Sequence, residues 1–285
     1  MSDITCSLSD LYVHPVKSCA GLAPREALLT ETGLDLDRAW MLADADGHMV
    51  TQRTLPRMAL IRTEFRHGDL VLRAPGMLAL HLSLERVEAP RRAQVWNDEV
   101  AAYEMGPLAH QWCQDFLGQP GLQLLRFDPE QRRLADRKWT GELEAEVSFA
   151  DGFPLLVAST ASLAELNHRL AAAGEPAVTM QRFRPNLVLD GLEQPHDEDL
   201  IDELSIATAD GAVRLKLVKP CTRCSIPDVD PERGEPGGAV GAALAAYRSD
   251  PRMGGGITFG MNAVILEGIG RTLRTGAPVS ARFAV

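Results

Sequence analysis

The sequence predicts a mainly β fold with a few helices, an α+β protein organised as two β-barrel domains. Short segments that alternate apolar and polar residues fill the first hundred residues, and turn residues separate them. Helical patterns are few and do not alternate with strands as they would in βαβ units. A chain of 285 residues is long enough to form two modest domains, each with its own core.

Turn residues in the first half predict β-hairpins. His67-Gly-Asp69 places a glycine at the centre of a turn between strands at 60–65 and 70–72. Asn97-Asp98 marks a second turn between two short apolar segments. We therefore expect the first half of the chain to consist largely of antiparallel strands.

Three helices are predicted from apolar residues at helical spacing. The first covers 107–117 and is followed by a glycine that ends it. The second covers 162–173, and the third covers 240–247 after a glycine-rich turn. The domain boundary is placed after the first helix, which gives a domain over 1–120 and a second over 121–285.

The charge balance excludes some classes of partner. The chain has 29 Lys and Arg against 39 Asp and Glu, a formal net charge of -10. This charge repels nucleic acid and anionic membrane surfaces, and no window approaches the roughly 18 apolar residues of a spanning helix. The five cysteines form no secreted disulfide framework, so a cytoplasmic protein with reduced thiols is expected.

The most informative motif is a Cys-x-x-Cys at Cys221 and Cys224, directly after a strand predicted over 213–218. A redox pair of the thioredoxin type needs a helix N-terminus, which Pro227 and Pro231 forbid here. A structural zinc site would need two further ligands, and the other three cysteines form no second such pair. A single thiolate that binds one soft metal, whose other ligands come from a cofactor, fits the pattern better.

Two sets of motifs resemble a known family. Arg182-Phe-Arg-Pro-Asn-Leu-Val-Leu189, Pro220-Cys-Thr-Arg-Cys224 and Val229-Asp-Pro231 resemble the MOSC domain, the C-terminal domain of molybdenum cofactor sulfurases. The front of the chain resembles the β-barrel domain that precedes MOSC in the mitochondrial amidoxime-reducing component and its bacterial relatives. The motifs that carry this second resemblance are His14-Pro-Val-Lys-Ser-Cys-Ala-Gly21, Gly33-Leu-Asp-Leu-Asp-Arg-Ala-Trp-Met41 and Thr51-Gln-Arg-Thr54.

The resemblance implies a molybdenum cofactor, Mo-molybdopterin, as the bound group. It assigns Cys221 as the catalytic residue and the metal ligand, while Cys224 is not implied as a ligand and is expected to be structural. It further implies that Lys17, Ser18 and Arg38 contact the cofactor. An ordinary surface position is the alternative for a lone lysine or arginine.

Arg184 and Asn186 match the family motif and are expected to bind the cofactor as well. Pro185 restricts Arg184 to an extended conformation, so Arg184 and Arg182 are predicted to project to the same side of a strand. A guanidinium there can bind an anion through two hydrogen bonds. For Arg182, a solvated surface charge is the alternative.

Ser159 and Thr160 lie at the predicted start of the second helix. Hydroxyl groups and unpaired N–H groups at a helix start can bind a phosphate, so both residues are candidate cofactor ligands. Simple N-capping, which requires only one hydroxyl, is the alternative.

For one branch of the family, the resemblance implies a molybdenum-dependent oxidoreductase that reduces small N-hydroxylated compounds. Only two cysteines follow the first domain, too few for an iron–sulfur cluster, so the electrons are expected from a separate ferredoxin- or flavin-type protein. Two alternatives stay open. One is a non-enzymatic protein that binds or carries the cofactor or relays sulfur, and the other is a zinc-stabilised double barrel without a cofactor.

Overall fold

The computed structural model describes residues 4–284, in which strands dominate and four α-helices occur. The elements up to residue 120 are, in chain order, β1 (Ile4–Leu11), β2 (Glu26–Thr30), β3 (Gly33–Leu34), β4 (Trp40–Ala43), β5 (Arg62–Arg66), β6 (Asp69–Arg73), β7 (Leu80–Ser83), β8 (Pro90–Val95), β9 (Asp98–Glu104) and α1 (Pro107–Leu117).

The remaining elements follow in the second half. They are β10 (Gln123–Phe127), α2 (Arg137–Thr140), β11 (Leu155–Ser159), α3 (Thr160–Ala172), β12 (Leu187–Asp190), β13 (Ile201–Thr208), β14 (Gly211–Thr222), α4 (Ala239–Ala245), β15 (Ser249–Asp250), β16 (Gly256–Glu267), β17 (Thr272–Arg274) and β18 (Pro278–Phe283). The mainly β class with a few helices is confirmed.

Seven strands close into a barrel in the order β11-β12-β1-β18-β13-β14-β16, because β16 pairs back onto β11. β1 pairs antiparallel with both β12 and β18. The first strand of the chain therefore lies in a barrel whose other six strands come from the second half. The division of the chain at residue 120 stays a prediction.

The barrel core explains why β14 forms where the sequence predicts a strand. Val213, Leu215 and Leu217 alternate with charged residues, and all three are buried in the core cluster of the barrel. The strand extends beyond the predicted 213–218 to Thr222. Cys221 is thus part of the strand end.

The first half contains a four-stranded sheet, β4-β10-β9-β8, and a three-stranded sheet, β5-β6-β7. The turn predicted at His67-Gly-Asp69 joins β5 to β6, as expected. Trp112 and Phe116 of α1 pack into a core that includes Trp40 and Leu70. Within residues 4–284, the hydrogen bonds of these two sheets do not close a second ring, so one closed barrel is seen where two were predicted.

The helix predictions are correct in place and differ in their ends. α1 covers the predicted residues. α3 begins two residues before the predicted start, because the side chain of Ser159 accepts a hydrogen bond from the N–H of Ser162 and caps the helix there. α4 ends at Ala245 rather than at 247.

The integration of β1 into the barrel predicts a strong effect of Leu8→Ala. Leu8 has no exposed surface and lies in the barrel core, so truncation should lower the free energy of unfolding by about 2–5 kcal/mol. Leu28→Ala on β2 is the matched control, since Leu28 is 41% exposed. Chemical denaturation measures both variants, and equal effects would contradict the role of β1 in the core.

Candidate functional site

A cleft with a volume of about 120 Å³ is lined by residues from both halves of the chain. Most of the residues predicted to bind the cofactor or metal line it, namely Lys17, Ser18, Arg38, Arg184, Asn186 and Cys221. The predicted residues Ser159 and Thr160 do not. Residues that are distant in the sequence therefore meet at one surface.

Cys221 presents its thiol to this cleft from the end of β14, and its side chain is partly exposed. The Nη1 of Arg223 lies 2.9 Å from the Cys221 Sγ, and the Nη2 of Arg223 donates to the carbonyl of Phe183 at 2.8 Å. A guanidinium this close to a sulfur complements a negative charge on it. Sequence reasoning missed Arg223, although its position two residues after Cys221 in a strand-end segment is a usable signal.

Cys224 lies at the edge of the same cleft and is exposed. Among residues 4–284, the only group of three His, Cys, Asp or Glu ligand atoms close enough to share a metal is Asp44, Asp46 and His48. Neither cysteine of the Cys-x-x-Cys belongs to such a group. The geometry offers Cys221 as a single protein sulfur rather than as part of a four-ligand zinc site.

Arg38 is held by groups from both halves of the chain. Its Nη1 donates to the Asp37 carboxylate and, at 3.1 Å, to Asn186 Oδ1. Its Nη2 donates to the carbonyl of Arg184 at 2.9 Å. Asp37 is itself buried and accepts from the N–H of His14 at 2.7 Å. The guanidinium therefore fixes the shape of the cleft wall as well as its charge.

The predicted extended conformation of Arg184 is wrong. Residues Met180–Phe183 form a 3-10 turn, and Arg184 ends it in the left-handed region with a φ of 55°. The preference that Pro185 imposes is overridden by tertiary contacts, because Arg184 donates to the carbonyl of Cys19 and accepts from Arg38.

Arg182 and Arg184 consequently point to different places. Arg182 donates to the carbonyls of Pro227 and Val229 at 3.2 and 3.0 Å, and it does not line the cleft. Arg184 lines the cleft, and its Nη2 is buried without a hydrogen-bond partner within the described chain. Burial, and then the charge of Arg38, lower the pKa of Arg184 to about 10, so it is still a cation at neutral pH.

Asn186 is almost completely buried, and its amide is used within the protein. The Oδ1 accepts from the N–H of Leu156 at 3.1 Å and from Arg38, and the Nδ2 donates to the carbonyl of Tyr12 at 3.2 Å. These bonds tie the start of β12 to β11 and to the segment after β1. A direct contact of Asn186 with a cofactor stays a prediction.

Lys17 and Ser18 are both buried at the cleft. The Lys17 Nζ donates to the carbonyl of Phe149 at 2.8 Å and to Asp151 Oδ1 at 2.7 Å. Burial lowers the pKa of Lys17, and the charge of Asp151 opposes that shift. Sequence reasoning missed Asp151, which lies in a loop without a motif of its own and becomes visible only through this ion pair.

Three residues of the cleft have an unusual backbone conformation. Ser18, Arg38 and Arg184 have φ values of 63°, 49° and 55°, in the left-handed region that residues other than glycine rarely adopt. Such conformations persist where surrounding contacts hold them, and they cluster at functional sites. Their coincidence at one cleft indicates a site whose shape is maintained at a cost in backbone strain.

Ser159 and Thr160 lie at the start of α3, away from the cleft lining. The hydroxyl of Ser159 caps the helix and donates to Glu198 Oε2 at 2.8 Å, and Ser159 is fully buried. The hydroxyl of Thr160 donates to Asp190 Oδ1 at 2.5 Å. The N-capping alternative describes this geometry, and cofactor binding by the two residues stays a prediction.

Comparison with known proteins identifies the family of the chain. The chain matches the MOSC N-terminal beta barrel domain over residues 5–120 and the MOSC domain over residues 144–280. Human mitochondrial amidoxime reducing component 2 is 34% identical over 236 residues, which cover 80% of this chain and 68% of that protein. The chain belongs to this family of MOSC-domain proteins.

Two further proteins are similar to this chain. Human molybdenum cofactor sulfurase is 27% identical over 244 residues, which cover 80% of this chain and 27% of that protein. The YUAD protein from Bacillus subtilis, which has a crystal structure, is 11% identical in sequence, with a TM-score of 0.45 over 100% of this chain and 99% of that chain.

Among residues 4–284, every helix is too short or too polar to cross a lipid bilayer.

His14 supplies a test of the electrostatics beneath the cleft. It is buried, its Nε2 donates to the carbonyl of Pro185 at 3.1 Å, and burial together with the charges of Arg184 and Arg38 lowers its pKa well below the ordinary value. The folded state thus keeps His14 neutral while the unfolded chain takes up a proton below about pH 6.5. The resulting stability is fully present above that pH and is lost as the pH falls.

We expect His14→Gln to flatten this pH dependence. Glutamine keeps an N–H donor for the carbonyl of Pro185 but does not titrate. Between pH 6.5 and 5, the parent should lose up to about 1.4 kcal/mol per pH unit more of its free energy of unfolding than the variant does. Urea denaturation at several pH values measures the slopes, and equal slopes would show that His14 protonates in the folded state.

Proposed function

We propose that this MOSC protein is a molybdenum-cofactor-dependent oxidoreductase that reduces N-hydroxylated compounds. The observation that carries the proposal is a partly exposed thiol in one cleft with two buried guanidinium nitrogens that lack hydrogen-bond partners within residues 4–284. The Sγ of Cys221 is that thiol, and the unpaired nitrogens are Arg184 Nη2 and Arg223 Nε. The names of the amidoxime-reducing relatives, which are about one third identical, support the reaction class.

The residues present fit a group that combines a soft metal with an anionic tail. Cys221 would supply one sulfur to molybdenum, and Arg184 would supply a charge-assisted hydrogen bond to the tail. The buried Arg184 Nη2 has no acceptor within residues 4–284, which is a costly state that a bound anion would relieve. When bound, the cofactor would supply two-electron oxygen-transfer chemistry at the metal.

The protein's own part in the reaction is to hold and tune the site. Arg223 would orient the Cys221 sulfur through its 2.9 Å contact. Lys17 and Asp151 fix the loop at 149–153 against the first half of the chain. Reduction of an N–OH group consumes two electrons and two protons and releases water, and the cleft is open to solvent for both the protons and the product.

The electron donor, the substrate and the cellular compartment belong to the same proposal. A separate ferredoxin- or flavin-type protein would deliver the electrons. All five cysteines lack disulfide partners in the described chain, which is compatible with a reducing compartment such as the cytoplasm.

A non-enzymatic carrier of the cofactor is the second candidate, and the similarity to molybdenum cofactor sulfurase favours it. Both candidates require the same binding cleft. Turnover of benzamidoxime by the metal-loaded protein with an artificial reductant distinguishes them. Stoichiometric molybdenum without turnover would support the carrier.

The two cysteines should behave differently when each is replaced by serine. Cys221→Ser should abolish benzamidoxime reduction and change the molybdenum absorption or paramagnetic spectrum, because it removes the proposed metal ligand. Cys224→Ser is the matched control, since Cys224 is an exposed cysteine three residues after Cys221, and it should retain the spectrum. Equal loss of bound metal in both variants would instead point to a shared site such as zinc.

Arg184→Met should weaken retention of the cofactor. Loss of a hydrogen bond to a charged group costs roughly 1.5–3 kcal/mol, or about ten- to a hundredfold in affinity. Arg182→Met, two residues earlier and outside the cleft, is the control. Molybdenum and pterin content after dialysis, measured on folded protein, gives the result. Equal retention of molybdenum and pterin in the two variants would contradict the assignment of Arg184 as a cofactor-binding residue.

A further inference from the structure

A second cavity, which we call the vestibule, adjoins the cleft at Cys221. Its volume is about 360 Å³, and it shares Arg53, Asp151, Phe153, Cys221 and Arg223 with the cleft lining. Trp96 and Lys219 line the vestibule but not the cleft. The vestibule and the cleft therefore meet at Cys221, so a molecule held in the vestibule is next to that thiol.

Trp96 is an aromatic side chain fixed at the vestibule wall. It lies in the turn between β8 and β9 with a φ of 57°, and it is 46% exposed. Its Nε1 donates to Asp151 Oδ1 at 3.0 Å, and the guanidinium of Arg53 lies 4.4 Å from its ring centre. A strained and exposed tryptophan held by two contacts offers a rigid surface against which a planar ring can pack.

The vestibule carries a positive charge that the rest of the protein does not balance. Within residues 4–284, neither Arg53 nor Lys219 has a carboxylate within 4.0 Å. The one carboxylate of the vestibule lining, Asp151, is bonded to Lys17. In a chain with a net charge of -10, two such cations beside one cavity indicate an anionic ligand.

The placement of Lys219 sets where that anion would sit. Its Nζ lies 5.4 Å from the Trp139 ring and 5.7 Å from the Phe153 ring, so aromatic side chains hold it in place. Lys219 precedes Cys221 by two residues on β14, and two residues span about 7 Å along a strand. Both residues line the vestibule, so one ligand held in that cavity can contact both of them.

We propose that the vestibule is the substrate subsite and that it selects planar aromatic N-hydroxylated compounds that carry an anionic group opposite the N–OH. Trp96 would pack against the ring, and Lys219 together with Arg53 would bind a carboxylate or phosphate-type anion. This inference rests on the proposed reductase function for the identity of its ligand.

The test compares three substrates with the molybdenum-loaded protein: benzamidoxime, 4-carboxybenzamidoxime and 4-phosphonobenzamidoxime. The parent should show a higher kcat/KM for at least one anionic compound than for benzamidoxime. Lys219→Met should reduce that ratio roughly tenfold while the molybdenum content stays unchanged. Lys138→Met is the matched control, because the Lys138 Nζ also lies over the Trp139 ring, at 5.5 Å, but outside the vestibule.

Binding without reductant, measured by titration calorimetry, gives a second readout that does not depend on turnover. The anionic compounds should bind the parent and the Lys138→Met variant more tightly than the Lys219→Met variant. The inference would be overturned if the ratio of kcat/KM for the anionic compound to kcat/KM for benzamidoxime were equal in the parent, Lys219→Met and Lys138→Met. Loss of molybdenum from Lys219→Met would also overturn it. No turnover of any substrate with charge-dependent binding intact would instead reject the reductase function and leave the anion subsite supported.

Discussion

One largely buried guanidinium, that of Arg38, joins the two halves of the chain. It pairs with Asp37 beside it in the sequence and bonds the side chain of Asn186 and the backbone of Arg184 in the other half. Removal of one partner from a buried ion pair costs about 3–5 kcal/mol, because the remaining charge is left without compensation. The positions of Asn186 and Arg184, and with them one wall of the cleft, depend on this contact.

The two arginines at this wall of the cleft differ in whether their donors have partners within the protein. Arg38 uses its donors inside the protein, whereas the neighbouring Arg184 keeps a buried nitrogen without an acceptor in the described chain. Burial is the main cause of the lowered pKa of Arg184, and repulsion from the guanidinium of Arg38 adds to it. An anion placed between them would remove both the repulsion and the unpaired donor.

Local patterns were sufficient to predict much of the fold. The helix at α1, the β5–β6 hairpin and the strand that carries Cys221 follow from periodicity and turn residues within a few positions. The location of β1 could not be predicted this way. Alternation shows that a segment is a strand, but it does not say which partners the strand pairs with.

The candidate site shows the same division between local and tertiary information. Six of the eight residues that were predicted to bind the cofactor or the metal line the cleft, and all six match family motifs. The motifs did not predict the left-handed conformation of Arg184, which contacts with Cys19 and Arg38 impose. Asp151 and Arg223 were missed because their importance arises from side-chain contacts with Lys17 and Cys221.

The pairing of β1 also constrains the order in which the protein can assemble. Ile4 pairs with Ala281, so β1 is synthesised long before β18, the strand that it needs for the barrel to close. Until β12 is made both edges of β1 lack their partners, and until β18 is made one edge still does, so β1 can pair with other extended segments. Contacts of such long sequence separation fold slowly, so newly made protein should be most prone to aggregation while β18 is still being synthesised.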